Sequence, residues 1–121
     1  MQKSDIEKVE SKLEKCGYKK ITSCKANMDD EYEWFKPFYY PDRDDWGERV
    51  IKYQIFFEFW NFDKYLPGEG WGISVTIMPD SCEEDVGRRD LELSVDWADD
   101  IERVEKVAEK FYEFIREMDK L

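Results

Sequence analysis

The sequence contains no histidine. That removes the commonest general base, every Ser-His or Cys-His nucleophile arrangement, and the commonest transition-metal ligand. The three cysteines, Cys16, Cys24 and Cys82, form no CxxC pair, and an odd count leaves at least one without an intramolecular mate. Reduced thiols are expected, and a tetrahedral zinc site is not. No stretch approaches the roughly 20 apolar residues of a membrane span. Met1-Gln2-Lys3-Ser4-Asp5 passes into charged residues without the apolar run of a signal peptide. Basic side chains are outnumbered: 19 Lys and Arg stand against 30 Asp and Glu, a formal charge of -11. Such a charge repels polyphosphate backbones and anionic membranes, which disfavours direct nucleic-acid binding. A cytoplasmic protein without cofactor, metal or membrane contact is the expectation.

At 121 residues the chain suits one domain, and its 41% hydrophobic and 17% aromatic content is enough for a core beneath a heavily charged exterior. The segment Arg49 to Trp60 organises the rest. Its odd positions Ile51, Tyr53, Ile55, Phe57 and Phe59 are all apolar, whereas Val50, Lys52, Gln54, Phe56, Glu58 and Trp60 are mixed. The period of two predicts a central strand with one face buried and the other partly covered.

Other elements are read as its partners. Ser4 with Glu7 reads as a capping box opening a helix with the stripe Ile6, Val9, Leu13 and Cys16, which Gly17 ends. Ile21, Thr22 and Cys24 among lysines fit a short edge strand between Tyr18 and Ala26. The segment from Phe35 to Tyr40 contains Pro37, so a strand there lies at an edge or breaks at the proline. Pro41 to Gly47 reads as a turn into the central strand, and Pro67-Gly68 as a second turn. Trp71, Ile73, Val75 and Ile77, and then Leu91, Leu93, Val95 and Trp97, alternate as strands. Asp99 with Glu102 predicts a cap for a last helix with the stripe Ile101, Val104, Ala108, Phe111, Ile115 and Met118, widened by Val107 and Phe114. The fold class is α+β: an antiparallel meander of three to five strands with an N-terminal and a longer C-terminal helix packed on one face, a two-layer sandwich.

Motifs for chemistry are weak. Asp42-Arg43-Asp44-Asp45-Trp46-Gly47 starts like a calcium loop, but Trp46 stands at the fifth position and Tyr53 at the twelfth, so a solvated acidic turn is the reading. Gly68, Gly70 and Gly72 precede a strand rather than a helix, which argues against a phosphate loop and for close backbone approach. No catalytic residue stands out.

The least ordinary feature is the interleaving of acids and aromatics. Asp29, Asp30, Glu31, Tyr32, Trp34, Asp44, Asp45 and Trp46, with Phe56 and Trp60 on the outer face of the central strand, are the candidate protein-binding residues. In that pattern aromatic anchors rimmed by carboxylates receive a basic protein partner, in an inhibitor, antitoxin-like or secretion-chaperone-like role. An alternative is a small apolar ligand held between sheet and helices by Tyr53, Phe57, Ile73, Val75, Phe111 and Ile115. A homodimer through Phe56, Trp60 and Met78 is also compatible with the pattern.

Overall fold

A computed structural model describes residues 2–21, 31–79, 91–94 and 100–121. Its elements are α1 (Lys3–Lys15), β1 (Lys19–Lys20), β2 (Glu31–Arg43), β3 (Arg49–Asn61), a single 3-10 turn (Phe62–Lys64), β4 (Trp71–Pro79), β5 (Leu91–Ser94) and α2 (Ile101–Asp119). The strands form one antiparallel sheet in sequence order β1-β2-β3-β4-β5, with β3 at its centre. This is the α+β architecture that the alternation predicts.

β3 lies where its period requires. Tyr53, Ile55, Phe57 and Phe59 are at most 4% exposed, and they share a core with Tyr32, Trp34, Val75 and Ile77 of the neighbouring strands. Both helices close this face: Ile6, Val9 and Leu13 come from α1, and Ile101, Val104, Ala108 and Tyr112 from α2. Ile51 departs from the pattern. Between the pairs Phe38↔Tyr53 and Tyr39↔Ile51 the register shifts by one residue on β3. The bulge lets Lys52 and Tyr53 both reach Glu109 of α2, while Ile51 joins Tyr39 and Pro37 along a groove on the opposite side.

β2 runs through Pro37, which pairs with Gln54. The amide of Ile21 donates to the Glu33 carbonyl, so Glu33 turns its backbone groups toward β1 and, by alternation, Pro37 does the same. β1 reaches only Phe35, so the nitrogen of Pro37 faces an edge that asks no ladder bond of it.

Helix termini differ from the sequence reading by a residue or two. Gln2, rather than Ser4, caps α1, with Asp5 accepting from the Gln2 amide at 3.2 Å. Gly17 takes φ +89°, and the amides of Gly17 and Tyr18 donate to the carbonyls of Glu14 and Leu13, closing the helix as a Schellman motif. Cys16 is the C-cap and exposed, not a core thiol, because the chain leaves the helical path there and Tyr18 takes the buried place instead. Asp100 caps α2 by accepting from the Arg103 amide at 3.1 Å; Asp99 lies outside the described residues. On α2 the stripe holds at Ile101, Val104, Ala108 and Ile115, with Phe111 partly buried against the core. Tyr112 is also buried, its hydroxyl meeting Tyr40 of β2 and accepting from Arg116 of its own helix, whereas Phe114 and Met118 are exposed. Gly72 meets the expectation of close approach, because a Cβ there would fall 2.4 Å from the Phe62 ring.

Candidate functional site

Alternation along β2 sorts the acid-aromatic stretch into two sides. Tyr32 and Trp34 turn toward α1, and the Glu10 carboxylate accepts from the Tyr32 hydroxyl at 2.5 Å and from the Trp34 indole at 3.2 Å. With 3% and 8% exposure they are core residues and cannot serve as contact anchors. Lys3 adds to this corner, donating to the Tyr32 hydroxyl at 3.3 Å with its ammonium 4.0 Å from the Trp71 ring centroid.

The intervening residues Glu31, Glu33 and Phe35 lie on the face turned away from both helices, and the register sets them beside β3. Glu31 pairs with Trp60, Glu33 with Glu58, and Phe35 with Phe56, whose ring stacks on it at 5.8 Å between centroids and 18° between planes. β4 continues the rows with Gly72, Ser74 and Thr76, and the Ser74 hydroxyl reaches Glu58 at 3.5 Å. Two opposed carboxylates are thus bracketed by an aromatic stack on one side and an indole on the other. Glu31, Phe56 and Trp60 were visible in the sequence as candidates. Glu33, Phe35 and Glu58 were not, because only the cross-strand register makes them neighbours.

Asp44, Asp45 and Trp46 form the tip of the β2–β3 hairpin, away from that patch. One Asp44 carboxylate oxygen accepts from the amides of Trp46 at 2.9 Å and Glu48 at 2.8 Å, and Arg43 donates to the Gly47 carbonyl at 3.0 Å. Asp44 is therefore a turn-builder, while Trp46 is left 88% exposed. Asp29 and Asp30 lie outside the described residues.

Where α2 crosses β3, the Glu109 carboxylate accepts from Lys52 at 2.5 Å and from the Tyr53 hydroxyl at 2.8 Å. Burial pushes its carboxyl up, but these two donors and the Lys52 charge outweigh it and hold the group below the usual range. Beside it the Tyr40 and Tyr112 hydroxyls meet, Arg116 donates to Tyr112 at 3.0 Å, and a cavity of about 340 Å³ opens. Burial, and then the bond to Tyr112, pushes the Tyr40 phenol up. These shifts move away from neutrality, opposite to what an acid or base working near pH 7 needs.

Of the residues the sequence offers as lining for an apolar ligand between sheet and helices, Phe57 and Val75 are fully buried and Ile73 and Phe111 partly so, with the Tyr18 ring edge-on to Phe57 at 5.4 Å. Among the described residues, no three His, Cys, Asp or Glu side chains converge as a metal site requires, and no helix is long and apolar enough to cross a membrane. Comparison of the chain with protein-family models, curated proteins and solved structures finds no match.

Proposed function

We propose that this is a small acidic interaction module, not an enzyme, that engages a basic protein through the face of its sheet turned away from α1 and α2. The observation that carries the reading is the shared placement of Glu31, Glu33 and Glu58 with Phe35, Phe56 and Trp60 on that face. Aromatic rings supply desolvated contact area, and carboxylates around them select and steer a cationic partner. The net charge of -11 favours the same class of partner at long range.

The test is capture from a proteome at low salt by the wild-type chain and by a Glu31→Lys, Glu33→Lys variant whose melting is checked first. The expected result is a basic protein retained by the wild type, released by salt and lost with the variant. A retained protein indifferent to both salt and charge reversal would sink the reading, as would the absence of any partner.

A further inference from the structure

The hairpin tip and a groove along the same hairpin have complementary chemistry. β4 ends with Pro79 opposite Tyr53, so the hairpin continues past the body of the sheet, and residues 41–49 are all exposed. The turn is fixed by the Asp44 carboxylate and by the pair of backbone bonds Asp44 to Glu48 and Gly47 to Asp44. Its tip presents Trp46, 88% exposed, among Asp42, Asp45 and Glu48. Holding so large an apolar side chain in water on a pre-set turn is the arrangement of a contact anchor, since the ordering cost of the backbone that carries it is already met in the free chain.

Closer to the body, a groove of about 560 Å³ runs along β2 and β3, with Phe35, Pro37, Tyr39 and Ile51 giving it apolar walls. Its charged lining is basic: Lys19, Lys36 and Arg49. Lys36 is engaged by the Cys16 carbonyl at 2.8 Å and by Glu105 at 3.7 Å, whereas the Arg49 guanidinium lies 4.6 Å from the Tyr39 ring centroid, a stacking that leaves its edge donors for a carboxylate. In a chain with 30 acids and 19 bases, a groove whose charged lining among the described residues is cationic is a local inversion of sign. Its volume is within the roughly 300–1,000 Å³ of ligand-sized clefts.

We propose that the occupant is a second copy of this chain. Two hairpins packed antiparallel about a two-fold axis place each Trp46 in the other copy's groove, with Asp42 and Asp45 meeting Lys19 and Arg49. A two-fold contact requires that one patch hold both the key and the lock, so that i meets j and j meets i. The tip and the groove satisfy this because both lie on one hairpin, the tip at residues 44–48 and the groove along residues 35–39 and 49–54. Each insertion removes about 200 Å² of surface from water at the tryptophan alone. The contact shares Phe35 with the face proposed above for the basic partner and leaves Glu31, Glu33 and Trp60, toward the other end of the hairpin, outside it.

Sedimentation across a concentration series tests it. The wild type should dimerise, and Trp46→Ala should raise the dissociation constant by about thirtyfold or more, as loss of a central aromatic anchor does. Asp45→Lys and Lys19→Glu should each weaken the dimer, and the two combined should restore it. Bulk salt is a poor substitute, because it screens both the local attraction and the repulsion between two acidic chains. All three side chains are exposed, so folding is not at stake. A wild type that stays monomeric to millimolar concentration, a dimer indifferent to Trp46→Ala, or a double charge swap that does not recover would each overturn the proposal.

Discussion

At the scale of single residues, the interior of this protein is held by phenols whose tips touch carboxylates. Tyr18 donates to Glu105 at 3.3 Å, Tyr32 to Glu10 and Tyr53 to Glu109. Burial first, then the facing carboxylate, raises all three above the ordinary phenol range. Their stabilisation is fully present below pH 10, the unfolded phenol's value, and is lost as pH rises above it, because the unfolded chain ionises first. Each should remove about 1.4 kcal/mol per pH unit in that window. Denaturant unfolding at stepped alkaline pH should show this loss, and Tyr18→Phe should make it shallower. Glu109 has the opposite sign: its contribution is present above the usual carboxylate range and is lost as pH falls through its own depressed value. None of these pairs could be read from the sequence, since each joins residues from different elements.

At the scale of elements, β2 shows how an open edge is protected. Past Phe35 it has no β1 partner, and there the chain carries Pro37 where a ladder donor would otherwise face outward. Pro37→Thr should cost no more than about 1 kcal/mol, the unfolded-chain entropy that the proline removes. It should also restore the donor, and the variant should become turbid on prolonged stirring where the wild type stays clear. The sequence reading placed this strand at an edge or broken at the proline; in the structure β2 is continuous and lies between β1 and β3, and only past Phe35, where β1 ends, does Pro37 meet an unpaired side. Helix α2 was legible in position and in most of its buried face, Ile101, Val104, Ala108, Phe111 and Ile115, but Phe114 and Met118, which fit the apolar period, are exposed and Tyr112 is buried. A tyrosine counts as polar or apolar according to whether its hydroxyl finds a partner, and that partner, Tyr40, lies on another element.

At the scale of the whole molecule, the net charge of -11 sets a self-repulsion that no local contact removes. Added salt in the range up to about 0.2 M should therefore raise the melting temperature, because screening relieves repulsion over distances near the Debye length while half-buried pairs such as Lys52–Glu109 are screened less. Calorimetry on the Trp46→Ala variant checks this without a contribution from association, and a midpoint that falls with salt would show that attractive pairs dominate. The sequence alone determined the class of fold, the central strand, both helices, and the sign of the molecule's field. Hydrophobic period and net charge are properties of neighbouring residues and of sums, and neither needs three dimensions. Only the tertiary structure decided which acids and aromatics share a face. Cross-strand register, the bulge at Lys52 and the burial of Tyr112 are set by how separate elements pack, so Tyr32 and Trp34 passed to the core while Glu33, Phe35 and Glu58 came together on the outer face.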